Sequence, residues 1–274
     1  MAARSPDGEG PLTIDTHAHV GMDQFAPDRD FVVERARSIG VNFLEVGYDV
    51  ESSAKALGLA RQLRGKCAVG IHPHYAGDSS CRVEDVWNEV EAIIKTGAPE
   101  IVAIGEIGLD YARGRDSRDI QVECFERGLE LARRFRLPAI IHQREAEEDV
   151  LRLVRGACLS TPVVFHCFTG DLIYASNCLD LGGYIGLGGV LTYPRNRTLR
   201  ETVRSLPKER LLLETDSPYL PPQSRRGVRN EPAYVLEVRD LLSELLGIPE
   251  TEIAALTSLN ARDAFLAEIA WSTG

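Results

Sequence analysis

The sequence predicts an α/β fold, a single-domain (β/α)8 barrel of the TIM type, somewhat distorted, with an extra C-terminal helix. Three observations support this prediction. Eight short β-type runs recur along the chain, segments with helical periodicity separate them, and polar side chains stand at the carboxyl ends of most runs. Each intervening segment is long enough for the crossover connection that parallel strands require.

The predicted strands begin with LTIDTHAHV at residues 12–20 and end with RLLLETDSP at residues 210–218. The other six cover residues 42–49, 67–74, 100–110, 138–145, 162–169 and 183–189. Helical periodicity is clear in FVVERARSIG, VEDVWNEVEAIIKTG, VECFERGLELARRF and AEEDVLRLVRGA. A helical tail from about 231 to 270, broken near Gly247-Ile248-Pro249, supplies the last barrel helix and an extra one.

The sequence between these elements predicts a single domain. No Ser/Gly-rich linker or shift in composition divides residues 12–270, so we expect one barrel domain there. Residues 1–11 lack the apolar centre of a signal peptide, and we expect a disordered lead-in. An open doubly wound sheet is the alternative, but HAHVGMDQF stands where its Gly-rich phosphate turn should follow the first strand.

Composition limits the classes of function. The chain is 44% hydrophobic and 26% charged and has no apolar run long enough to cross a bilayer, so we expect a cytoplasmic protein without a membrane partner. Its six cysteines form no CxxC pair, which favours reduced thiols over disulfides or a zinc-cysteine site. The net charge of −10 argues against a broad basic surface for nucleic acid, so a phosphate ligand must be held locally by metals and a few arginines.

Histidines and acids occupy the strand ends in a repeated pattern. In a barrel these ends converge on one mouth, where residues distant in sequence become neighbours. Taken singly, each histidine could be a cap and each acid could pair with an arginine. Together, four histidines and two carboxylates favour metal ligation, and six ligands suit two ions that share a carboxylate better than one catalytic zinc. The polar residues at the strand ends are His17, His19, His72, His74, Glu106, His142, His166 and Asp216.

Six separated motifs resemble those of the TatD family of metal-dependent deoxyribonucleases, over about residues 12–268. They are IDTHAH, GIHPH, AIGEIGLDYAR, LPAIIHQREA, VVFHCFTG, and LLLETDSPYLPP followed by RGVRNEP. The resemblance implies a distorted (β/α)8 barrel whose mouth holds two divalent ions, which could be magnesium, manganese or zinc.

The resemblance also implies two sets of ligands with one shared carboxylate. These are His17, His19 and Asp216 for one ion, His142 and His166 for the other, and Glu106 as the bridge. His72 is similar to the family's non-ligand histidine, placed to touch a phosphate oxygen, and His74 could be a mouth residue or a loop contact. The family's fifth-strand motif usually reads HSRDA, and here Gln143 and Glu145 replace its serine and aspartate.

The predicted catalytic residues are Asp216, Glu106 and His72. Glu106 can bridge because a carboxylate offers one oxygen to each ion, whereas an imidazole offers one lone pair. Asp216 is the natural candidate to orient the attacking water and take its proton. His72 would contact the phosphate, as the family pattern implies.

Four further residues are candidates for substrate binding. Arg144 shares a strand face with His142, and Arg113 follows the end of the fourth strand, so both could grip phosphate oxygens. Arg226 and Asn230, after the eighth strand, could contact a flanking nucleotide. A surface ion pair or a solvated loop is the competing interpretation for the arginines.

These inferences favour a metal-dependent phosphodiester hydrolase, a deoxyribonuclease acting 3'-5' on single-stranded DNA or strand ends. Two alternatives stay open. One is a hydrolase of a small ester, lactone, amide or phosphotriester, since fold does not fix function. The other is a D-aminoacyl-tRNA deacylase, an activity ascribed to some relatives. The sequence predicts no oligomeric state.

Overall fold

A computed structural model describes residues 12–77, 82–113 and 116–269. The predicted lead-in at residues 1–11 and Cys81 lie outside the described residues. The other five cysteines are free thiols, as predicted for this part of the chain.

Eight parallel strands form one sheet whose spatial order is the order in sequence, β1 to β8. They are Thr13–Ala18 (β1), Val41–Val46 (β2), Lys66–Val69 (β3), Ile101–Asp110 (β4), Ala139–Arg144 (β5), Val163–Phe165 (β6), Gly183–Leu187 (β7) and Leu211–Leu213 (β8). A parallel bridge between Ala18 and Ser217 joins the ends of the sheet, and the His19 N–H donates to the Ser217 carbonyl over 2.9 Å. The predicted barrel is confirmed, with all eight strands inside the expected runs or within one residue of them.

Helices alternate with the strands. They are Arg29–Ser38 (α1), Val50–Leu63 (α2), Val83–Thr96 (α3), Arg118–Phe135 (α4), Glu147–Ala157 (α5), Leu172–Asp180 (α6), Arg197–Ser205 (α7), Val235–Leu246 (α8) and Glu250–Phe265 (α9). Side-chain caps start several of them, such as Asp49, which accepts from the Ser52 N–H at the start of α2. The break predicted near Gly247 is present, because Gly247 has a left-handed φ of 65° and ends α8.

Apolar clusters on both faces of the strands hold the barrel together. The largest packs the outer strand faces against the helices. A smaller one fills the barrel with inward-facing residues such as Leu44, Ile140 and Leu212, and it includes Phe265 of α9. The extra C-terminal helix therefore closes the amino end of the barrel, leaving the carboxyl ends as the open mouth.

Within the described ranges, every helix is too short or too polar to span a bilayer.

Candidate active site

The two histidines of the first strand face one point in the mouth. Since alternate residues share a strand face, His17 and His19 project together, and their Nε2 atoms lie 3.2 Å apart. Asp15, on the same face, is turned away from that point: its carboxylate accepts from the Thr215 N–H at 2.9 Å and the Thr215 hydroxyl at 2.6 Å. Asp15 therefore joins β1 to the segment after β8, and burial raises its pKa well above the ordinary value.

Glu106, in β4, lies at the centre of the cluster, and its two carboxylate oxygens face different histidines. Oε2 lies 3.5 Å from Nε2 of His17 and 3.7 Å from Nε2 of His19. Oε1 lies 2.8 Å from Nδ1 of His142 and 2.7 Å from Nε2 of His166. One buried carboxylate thus connects two separate pairs of imidazoles.

Asp216 completes the side of the cluster that holds the β1 histidines. Its Oδ1 lies 3.5 Å from Nε2 of His19 and 3.9 Å from Nε2 of His17. The Asp216 N–H donates to the His17 carbonyl over 2.9 Å, which fixes this residue beside β1. The structure therefore brings together all six side chains that the sequence predicted as ligands.

Three sets of these side chains could each hold an ion, with ligand atoms that lie within 4.8 Å of one another. The sets are His17, His19 and Asp216; His17, Glu106 and His166; and His72, Glu106 and His142. Glu106 belongs to two of them, but His142 and His166, which the resemblance assigned to one ion, fall in different sets.

Contacts on the far side of two rings fix which nitrogen faces the cluster. Nδ1 of His19 lies 2.7 Å from the Val46 carbonyl, an acceptor only, so Nδ1 carries a proton and Nε2 is the nitrogen that faces the cluster. Nδ1 of His166 faces Glu214 at 3.6 Å, and its Nε2 faces Glu106. Ring orientation by an outer carbonyl or carboxylate is typical of metal-binding histidines.

In His72 the nitrogen that faces the cluster is the one that carries the proton. Its Nδ1 accepts from the His74 N–H at 3.1 Å, so the neutral ring carries its proton on Nε2, which lies 3.6 Å from Oε1 of Glu106. Burial lowers the pKa of His72 well below the ordinary value, which keeps the ring neutral. His72 can therefore donate a hydrogen bond into the mouth.

Burial and mutual charge set the protonation of the other groups. Burial alone would lower the pKa of His19, but the hydrogen bond to Asp216 and the charge of Glu106 raise it to about 9. Burial and the neighbouring His166 lower the pKa of His17. Burial would raise the pKa of Glu106, but the charge of His166 and the hydrogen bonds from His142 and His166 hold it well below its usual range. The bridging carboxylate is therefore ionised.

Sequence reasoning missed two buried carboxylates outside the six predicted ligands. Asp110 ends β4, and its Oδ2 lies 3.0 Å from Nε2 of His74 and 3.5 Å from Nε2 of His142. Glu214 accepts from the Cys167 N–H and lies beside His166. Both could have been predicted from the sequence, because each is an acid at the end of an apolar run, in GLD and LLLE.

The predicted phosphate contacts lie at the edge of the mouth. Arg144, the last residue of β5, is exposed, and its guanidinium has no hydrogen-bond or ion-pair partner among the described residues. Arg113 is also exposed, just beyond β4, where its N–H donates to Asp110. Arg226 lies with its guanidinium carbon 5.0 Å from the ring centroid of Tyr193.

Asn230 does not reach the mouth, which corrects the expectation that its side chain contacts substrate. The residue is fully buried. Its amide donates to the carbonyls of Thr215 at 2.8 Å and Tyr219 at 2.7 Å. Asn230 therefore braces the loop that carries Asp216, and both amide hydrogens are used within the protein.

A family model described as TatD related DNase matches residues 14–266, which include every residue of the cluster. The chain belongs to the TatD family. It is an enzyme of the metal-dependent hydrolase type, as the sequence motifs predicted.

Relatives of this TatD family member are similar over almost their full lengths. The chain is 37% identical to the uncharacterized metal-dependent hydrolase YabD of Bacillus subtilis, over 93% of this chain and 99% of that protein. It is 38% identical to the 3'-5' ssDNA/RNA exonuclease TatD of Erwinia amylovora, over 92% and 99%. Among solved structures, YJJV, a TatD homolog from Escherichia coli K12, superposes with a TM-score of 0.84 at 31% identity, over 93% of this chain and 98% of that one.

Proposed function

We propose that this protein is a 3'-5' exonuclease that hydrolyses single-stranded DNA with the help of two divalent metal ions bridged by Glu106. The observation that carries the proposal is the placement of the Glu106 oxygens. Oε2 faces His17 and His19, and Oε1 faces His142 and His166. A carboxylate in this position can give one oxygen to each of two ions.

The donor set fits a pair of divalent cations. The Nε2 atoms of His17 and His19 face each other at 3.2 Å beside a carboxylate oxygen of Asp216, an arrangement suited to ligands that converge on an ion. Nδ1 of His142 and Nε2 of His166 converge in the same way, 3.4 Å apart, on Oε1 of Glu106. Imidazole with carboxylate suits zinc or manganese, whereas magnesium would be unusual with four histidines.

When bound, two such ions would lower the pKa of an attacking water and neutralise charge on the phosphoryl group. Within the protein, Asp216 is the group placed to orient the attacking water and accept its proton, because it lies at the cluster and keeps part of its side chain open to solvent. His72 offers the Nε2–H donor that a phosphate oxygen requires.

Phosphate groups that flank the scissile bond would be held by the arginines at the mouth. Arg144 is the strongest candidate, because it is exposed and lacks an ion-pair partner within the described ranges. Arg113 lies on the same side of the mouth, beyond the adjacent strand. The candidate arginines at the mouth are few, and the net charge of the chain is −10. Only a short stretch of nucleic acid can therefore be held, which favours a single strand or a strand end over a duplex.

The similar exonuclease of Erwinia amylovora supports the proposed polarity and substrate, since its name specifies 3'-5' action on single-stranded DNA and RNA. The net charge of −10 favours a second candidate, hydrolysis of a small ester or lactone. Both candidates use the same cluster and differ in the substrate that reaches it.

Digestion of labelled oligonucleotides tests the proposal. Single-stranded DNA labelled at its 5' end should shorten stepwise from the 3' end with manganese, magnesium or zinc, and EDTA should stop the reaction. Duplex DNA, RNA, p-nitrophenyl esters and lactones serve as competing substrates. Ester or lactone turnover without DNA cleavage by any metal would replace the nuclease with the small-substrate enzyme.

A further inference from the structure

Three tyrosines border one side of the mouth. Tyr48 directly follows Gly47 at the end of β2, Tyr75 ends a 3-10 turn beyond β3, and Tyr219 lies three residues after Asp216. The Tyr48 and Tyr75 rings have centroids 5.3 Å apart at an interplanar angle of 35°. Tyr48, Tyr75 and Tyr219 therefore line the mouth beside β1, β2, β3 and β8, and we call them the tyrosine platform.

The tyrosine platform adjoins the candidate metal ligands. The His19 ring centroid lies 5.5 Å from that of Tyr48 and 6.5 Å from that of Tyr219. Tyr219 lies near enough to Asp216 for burial and the Asp216 charge to raise its pKa. A group resting on the platform would thus be next to the scissile bond in the proposed reaction.

Backbone hydrogen bonds hold the platform in place. The His72 N–H donates to the Tyr48 carbonyl, and the Tyr75 N–H donates to the His72 carbonyl, both over 2.8 Å. Asn230 holds the Tyr219 carbonyl at 2.7 Å. These bonds fix the backbone of all three tyrosines, which reduces the entropy lost when a group binds to their rings.

Exposure and charge indicate what the platform binds. Tyr75 is 38% exposed and Tyr219 is 45% exposed, so aromatic surface is open to solvent at the mouth. A cleft of about 230 Å³ beside Tyr48 is lined by acids, and its lysine, Lys55, is already paired with Asp23 and Glu51. Phosphate would be repelled here, whereas a neutral flat group can stack.

We propose that the tyrosine platform stacks the nucleobases at the 3' end of a single strand, while Arg144 on the opposite side of the mouth holds phosphate. This inference rests on the proposed nuclease function and names the subsite that recognises the strand. Every base presents a π-face, so the platform binds all four bases with little sequence preference. It also explains how a mouth at which Arg144 is the main candidate for phosphate binding can hold DNA.

Binding of oligonucleotides that carry 2-aminopurine at the 3'-terminal position tests the platform directly. A phosphorothioate at the terminal linkage slows cleavage, and stacking quenches the 2-aminopurine fluorescence. Tyr75→Ala and Tyr219→Ala should each weaken binding roughly 5- to 150-fold and remove quenching, because stacking on an aromatic side chain is lost. Tyr75→Phe and Tyr219→Phe should bind as the wild type does, which separates stacking from misfolding.

Phe31→Ala is the matched control, because Phe31 is an aromatic residue that is 69% exposed on α1, outside the site. Unchanged quenching and affinity in both alanine variants would show that the tyrosine platform does not stack nucleobases. Wild-type protein that quenches 2-aminopurine but never cleaves the unmodified strand would contradict the nuclease function alone. Cleavage of the unmodified strand without quenching would contradict the platform alone.

Discussion

The carboxylate of Glu214 lies 3.6 Å from Nδ1 of His166, while Nε2 on the other edge of the ring lies 2.7 Å from Glu106. Glu214 is fully buried, and a side chain on Gly186 would collide with its carboxylate. The strand β7 therefore leaves room for an acid beside the outer edge of a candidate ligand, where we expect it to orient the ring.

Glu214→Gln should weaken metal binding by roughly 10- to 100-fold, because outer partners of ligating histidines contribute about that much. Glutamine can still accept from the Cys167 N–H, so the fold should be retained. Competition with a chelator measures the affinity. Glu209→Gln, which changes an exposed acid in the turn before β8, should bind metal as the wild type does, and equal affinities in the two variants would exclude a role for Glu214 in orienting His166.

Asp216→Asn should keep the fold and lower kcat by about 10²- to 10⁴-fold, because the amide cannot accept the proton from the attacking water. Circular dichroism checks the fold, and steady-state kinetics on single-stranded DNA measures kcat. Near-normal turnover in this variant would assign the proton to another group.

His72→Ala should lower kcat by about 10²-fold or more while leaving the metal content unchanged, because the variant lacks the Nε2–H donor proposed to bind the phosphate. The metal content must be measured, because His72 also belongs to a set with Glu106 and His142 that could hold an ion. Elemental analysis beside kinetics separates the two roles. Loss of one metal equivalent would make His72 a ligand.

Glu91, in α3 and far from the mouth, should contribute to stability in a pH-dependent way. Arg134 and Lys95 lower its pKa from 4.5 to about 2. Because the folded-state pKa is depressed, the contribution is complete above pH 4.5 and is lost as the pH falls towards 2.

Glu91→Gln should reduce the free energy of unfolding by about 1 kcal/mol at pH 7, as expected for a pair near the surface, and by less at pH 4. Urea unfolding of both proteins at the two pH values measures this difference. Nuclease activity in this variant should match the wild type. A deficit that grows on acidification would show that the sign is wrong.

The barrel and the six clustered side chains could be predicted from the sequence, for one physical reason. A histidine or acid such as Glu106 inside an apolar run is costly to bury alone, and parallel strands bring their carboxyl ends together. Both facts can be read from the chain without coordinates.

The supporting residues could not be predicted in the same way. Asn230 looked like a loop residue open to substrate, but its two acceptors, Thr215 and Tyr219, become neighbours only when the loop folds back. The Tyr48 and Tyr75 rings likewise meet only because β2 and β3 are adjacent. Contacts of this kind depend on the path of loops, which periodicity does not specify.

Anomalous diffraction from crystals grown with manganese shows whether Glu106 joins two ions. We expect two peaks per chain, one among His17, His19 and Asp216 and one between His142 and His166, on either side of the Glu106 carboxylate. Glu106→Gln should lose at least one peak. A single peak in the wild type, or peaks away from Glu106, would mean that Glu106 does not bridge two ions.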